Sequence, residues 1–105
     1  MIGIVAIAAA VTATCPTQRR GAPLHSVDIY DGSITDNAVL APDATRRLNR
    51  TTMQVWRVEG VYRAGRSLNV RCGYAAGGSV MMPVTRPVRE CHLSRRAGVR
   101  TFHCA

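Results

Sequence analysis

The chain has 105 residues, with 14 basic against six acidic side chains and a formal charge of +8 when its three histidines are neutral. That length holds one domain, and five aromatic residues in all are too few for a base-stacking platform. Every basic residue is an arginine; a lysine-free chain rich in Arg, Ala, Val and Gly is also what a GC-rich genome encodes without selection for binding, so the charge alone argues solubility and general attraction to anions.

Residues 2–13 are apolar or small throughout. A run of about twelve such residues suits the apolar region of a signal peptide and falls short of the ~20 a membrane span needs. Val11 and Ala13 stand where cleavage after Ala13 wants small or apolar side chains, although no basic residue precedes the run. Residues 1–13 are therefore expected to be a signal peptide and residues 14–105 a single β-rich domain, periplasmic or secreted, with no membrane span in the mature chain. A buried first helix fits less well, because Thr14-Cys15-Pro16 and Arg19-Arg20-Gly21 read as a boundary. A lipoprotein signal acylating Cys15 would put bulky Thr14 before the cysteine and strand an odd thiol.

After the connector, apolar residues recur with period two, not 3.6. Ser26–Tyr30 is a first strand, closed by the turn pair Asp31-Gly32. Residues 33–51 read as the longest irregular stretch, with room for an irregular helix within 41–50 capped by Asp43. Thr51–Tyr62 follows as a second strand, with Gln54, Trp56 and Val58 on one face and Val55, Arg57 and Glu59 on the other. The third strand is the clearest: Leu68, Val70, Cys72 and Tyr74 share one face, Asn69, Arg71 and Gly73 the opposite one. Ser79–Thr85, Val88–Leu93 and Val99–Cys104 complete the set. The expected fold is mainly β: a small antiparallel sheet, meander or partly closed barrel, stapled by disulfides, with at most one short helix.

Four cysteines, Cys15, Cys72, Cys91 and Cys104, make an even set in a short exported chain and read as two disulfides. A turn centred on Ala97-Gly98 sets Leu93 opposite Phe102 and Cys91 opposite Cys104, all on one face. Directly opposed residues have Cβ atoms ~4.5–5.5 Å apart, near what a disulfide needs. Of the three connectivities open to four cysteines, this register selects Cys91–Cys104, and Cys15–Cys72 follows by elimination.

The same register sets His92 opposite His103 on the outer face, with Glu90 beside them. Two imidazoles can share a transition metal, but a stable site wants a third ligand, and exposed hairpin histidines are usually solvated. Asp28, Asp31, Asp36 and Asn37 lack the alternating spacing and terminal glutamate of a calcium loop. No nucleophile elbow, zinc-helix motif or phosphate-cradling glycine loop is present. No catalytic residue, cofactor or metal is assigned, and an enzyme is not expected. Arg46, Arg47 and Arg50 in one cluster and Arg95, Arg96 and Arg100 in another are the candidate anion patch.

Val27-Asp28-Ile29-Tyr30-Asp31-Gly32, Leu40-Ala41-Pro42-Asp43, Trp56, Val70-Arg71-Cys72-Gly73-Tyr74 and Cys91, after Cys15-Pro16, together resemble a family of small exported Gram-negative proteins without assigned function. The resemblance covers about residues 15–104 and implies a periplasmic β-domain with no catalytic residues; Gly73 stands where that pattern has a basic residue. A weaker resemblance, through the Cys-x-Tyr strand, is to periplasmic lysozyme inhibitors. Three functions then compete. The first is a non-catalytic binding or structural module acting through a surface loop such as 33–51, with an envelope protein as partner. The second is an inhibitor of an envelope hydrolase such as lysozyme, against which a basic target would be repelled. The third is a basic protein binding anionic lipopolysaccharide. Nucleic acid is not an expected partner, and the oligomeric state is open.

Overall fold

The computed structural model describes residues 13–76 and 78–105, so all but the last residue of the expected signal segment lies outside the described residues. Among the described residues nine strands and one short α-helix follow in chain order, with a 3-10 turn at Ile34–Asp36: β1 (Ala13–Thr14), β2 (Gln18–Arg19), β3 (Ala22–Asp31), β4 (Ala44–Leu48), β5 (Thr51–Arg57), α1 (Glu59–Arg63), β6 (Leu68–Tyr74), β7 (Gly78–Val84), β8 (Glu90–Arg96) and β9 (Val99–Cys104). They form two antiparallel sheets, one of five strands ordered β1-β9-β8-β5-β4 and one of four ordered β2-β3-β6-β7. Alternation drives the packing. On β6 the face that sequence patterning marks as apolar, Leu68, Val70, Cys72 and Tyr74, is wholly buried. It meets Trp56, Cys91, Phe102 and Cys104 from the other sheet in one hydrophobic core.

Both expected disulfides form, Cys91–Cys104 from the hairpin register and Cys15–Cys72 as the remaining pair. Cys91 and Cys104 are paired across β8 and β9, with Leu93 opposite Phe102 and His92 opposite His103. Ala97 and Gly98 both take positive φ, the mirror-image turn whose twist suits a two-residue hairpin. Cys15–Cys72 joins the N-terminal segment to the middle of the four-stranded sheet. That segment is shared: Ala13 and Thr14 pair with Cys104 and His103, while Gln18 and Arg19 pair with β3. The second disulfide therefore ties one sheet to the other.

Two expectations are corrected. Residues 41–50 hold no helix: Ala44–Leu48 is the edge strand β4, paired along its length with β5. Asp43 caps the pairing rather than a helix, its carboxylate accepting the Arg57 N–H at 2.6 Å and its N–H donating to Val55 O. Asn49 takes the left-handed φ of +56° at the β4–β5 turn, a conformation asparagine tolerates. The strand expected over Thr51–Tyr62 instead ends at Arg57, and Glu59–Arg63 is helical. Gly60 weakens a strand, while Val58, Val61 and Tyr62 have helical spacing; Val58 and Val61 are buried, and Tyr62 donates its hydroxyl to Val84 O at 2.8 Å. The first strand also starts earlier, at Ala22, and the strand expected at 88–93 runs from Glu90 to Arg96.

Two residues of the sequence resemblance have clear structural work. Leu40 donates its N–H to Ile29 O and accepts the Trp56 indole N–H at 3.1 Å, so the loop before β4 bridges the two sheets. Gly73 lies opposite Ser26, whose hydroxyl would be 2.5 Å from a Cβ at that position. A side chain there would displace Ser26.

Candidate functional site

The β4–β5 and β8–β9 turns lie at the same end of the five-stranded sheet, because Leu48 opposes Thr51, Thr51 opposes Arg96 and Arg96 opposes Val99. All six arginines of the expected patch sit at this end. Cross-strand partners share a face, and the registers divide the six into two sets. Arg47, Thr52, Arg95 and Arg100 form one row across β4, β5, β8 and β9. By parity this row continues the inner face carrying Gln54, Leu93, Phe102, Trp56 and Cys91. Arg46 and Arg96 occupy the outer face, with Leu48, Met53 and Val99, and Arg50 stands in the turn.

The inner face changes character along its length. Around Trp56, Cys91, Phe102 and Cys104 it is buried against the second sheet. Towards the turns the covering strand β3 has a bulge between Leu24 and Ser26, and the sheets leave a cleft of about 470 Å³. Its walls are His25, Ser26 and Val27 on one side and Thr45, Arg47, Thr52, Gln54, Leu93, Arg95 and Arg100 on the other. No acidic residue lines it. The outer face has a second recess of about 600 Å³ bounded by Arg46, Leu48, Arg50, Met53 and Arg96. Leu48, 75% exposed, is an apolar wall of this recess, and Val99, 59% exposed, lies on the same face of the sheet.

Electrostatics set these arginines apart from Arg66 and Arg71. On the four-stranded sheet Arg66 is bidentate to Asp31, at 2.7 and 3.1 Å, and that hydrogen bond holds the Asp31 carboxyl below its ordinary value. Arg71 lies 5.6 Å from the centre of the Tyr30 ring. At the far end of the five-stranded sheet Glu90 accepts from His92 at 2.9 Å. That hydrogen bond, with the charges of His92, Arg57 and Arg46 adding, lowers its carboxyl. Arg47, Arg95 and Arg100 make no ion pair with any acid among the described residues.

A family model for the Type VI secretion system Tli immunity protein matches residues 17–105. The chain belongs to that family. Neither the curated proteins nor the solved structures yield a match to it. The match spans nearly the stretch over which the sequence resemblance ran and replaces a group without assigned function by one with a named role. His92 and His103 stack edge to face at 5.2 Å with Glu90 bound to one of them, and no group of three or more His, Cys, Asp or Glu among the described residues could hold a metal ion. Among the described residues no helix is long and apolar enough to cross a membrane.

Sequence reasoning named the six arginines as two clusters without placing them relative to each other; the strand registers bring them to one end and divide them between two faces. It missed His25, Thr45, Thr52 and Gln54 as cleft walls. The signal for Thr52 and Gln54 was parity with Trp56; His25 had none, because its place depends on the bulge in β3.

Proposed function

We propose that the chain is a non-catalytic immunity protein that neutralises a type VI effector by binding it in the periplasm, with the arginine end of the five-stranded sheet as the contact surface. The observation that carries this reading is the family match over residues 17–105. Two disulfides suit an oxidising compartment and support the address. The contact surface follows from chemistry: at the arginine end the open cleft sets Arg47, Arg95 and Arg100 beside the apolar Val27 and Leu93, a mixture of arginine and apolar side chains typical of protein interfaces. The lipopolysaccharide reading has less behind it, because the basic residues are divided between a recess and an opposite face, not spread over one plane. Residues 1–13 act as the export signal in this reading.

Bacterial competition tests it. A strain lacking this gene is attacked by its type VI-competent parent and by a parent without the secretion apparatus. Survival should fall only under the competent attacker and return when the exported chain is supplied. Unchanged survival without the gene would overturn the proposal.

A further inference from the structure

Arg95 and Arg100 are directly opposed on neighbouring strands, and Arg47 lies in the same cross-strand row, with only Thr52 between it and Arg95. Opposed residues in an antiparallel pair have Cα atoms ~4.5–5.5 Å apart. With strands ~4.8 Å apart, the Arg47 and Arg95 backbones are about 10 Å from each other. All three charges thus lie within about one Debye length of a neighbour at 0.1 M salt. Like charges directly opposite one another destabilise a sheet. Here no acid lines the cleft to relieve them, although six acids are available elsewhere in the chain. The repulsion within this row opposes folding, and a row of glutamines would be without it.

An anionic group entering the cleft would reverse the sign of the interaction. Guanidinium forks match carboxylates bidentately, and Thr45, Thr52, Gln54, Ser26 and His25 add further hydrogen-bonding groups around them. The shape selects the source of the charge. A bilayer is a broad surface and meets convex or planar basic faces, whereas a 470 Å³ recess between two sheets admits a protruding chain segment. We infer that the Arg47–Arg95–Arg100 cleft receives a carboxylate-bearing loop of the partner protein, while Arg46 and Arg96 on the outer face take no part in that contact. This deepens the immunity reading, and rests on it, by assigning the partner an acidic contact segment.

Two experiments keep the inference and the immunity reading apart. In the first, the oxidised protein is titrated with the peptide acetyl-Glu-Glu-Glu-amide while the arginine side-chain N–H signals are followed by NMR. The Arg47, Arg95 and Arg100 signals should shift, and the apparent affinity should fall about tenfold or more in R95Q/R100Q, as expected for lost charge-assisted hydrogen bonds. It should stay within about twofold in R46Q/R96Q, which removes the same net charge from the opposite face. Equal losses in both variants would reduce the effect to net charge and overturn the inference. So would tighter binding of phosphatidylglycerol vesicles or of a DNA duplex through the same arginines. In the second, survival is measured with R47Q/R95Q/R100Q and with R46Q/R50Q/R96Q. Protection should be lost in the first variant only. If wild type protects and the first variant protects equally, the cleft inference fails and immunity stands. If wild type does not protect, immunity fails and the peptide titration alone decides the cleft.

Discussion

The two ends of the five-stranded sheet are built to opposite specifications. At one end Cys91–Cys104, Trp56 and Phe102 are sealed under the second sheet, and the ring of Phe102 meets Trp56 edge to face at 6.3 Å. At the other, the same face of the same strands carries Arg47, Arg95 and Arg100 into an open cleft with no counter-charge. Strand geometry does not distinguish the two ends; what covers the face does. Where the four-stranded sheet closes over it, burial rewards apolar side chains. Where the sheets part, unbalanced charge is tolerated at a stability cost, and such a cost in one place points to binding.

The largest way to break the sealed end is to remove a staple. Chain entropy scales with the loop closed, so the sequence separations of 57 and 13 predict unequal effects. The double replacement C15A/C72A should lower the unfolding free energy by about 4 kcal/mol and C91A/C104A by about 3 kcal/mol. Urea unfolding checks both; a larger loss for the second pair would mean that the cross-sheet tie matters less than local hairpin closure.

The open end should respond with the opposite sign. R100Q relieves the direct opposition with Arg95 and should stabilise the free protein by about 0.2–1 kcal/mol, a rise in Tm of about 1–5 °C. A fall in Tm would show that Arg100 has a stabilising partner and would weaken the contrast. Salt sharpens the same point: raising ionic strength should stabilise wild type more than R95Q/R100Q, because only wild type has the repulsion to screen. Parallel salt curves would remove that repulsion from consideration.

The smallest effect concerns an arginine that is balanced. The Arg66 hydrogen bond holds the folded Asp31 carboxyl below its ordinary 3.8, so the pair stabilises the fold above that pH, and the contribution disappears as pH falls through the lowered folded value. In R66Q that contribution is absent. The two proteins should therefore differ in Tm at neutral pH and converge on acidification. A difference that persists at low pH would assign the role of Arg66 to packing over Gly32, where its side chain lies near the backbone.

Much of this was legible in the chain. Period-two alternation identifies Leu68–Tyr74 and Val99–Cys104 without tertiary information, because a strand's two faces follow from backbone geometry. The Ala97-Gly98 turn does the same for the Cys91–Cys104 register. Short elements were harder: five residues of helix at Glu59–Arg63 carry too few turns for a periodic signal, and β4 is an exposed polar edge strand whose pairing, not its composition, makes it a strand.

The sequence by itself determined which residues alternate, that Cys91 and Cys104 are partners, and that arginines cluster at 46–50 and at 95–100. Local backbone geometry is enough for each of these. Only the tertiary structure decided that Arg47, more than forty residues away, joins Arg95 and Arg100 in one row, since that needs the β4–β5 and β5–β8 registers together. It also decided that this row lines a recess, because a strand's parity separates its faces but cannot say where along a face a second sheet stops.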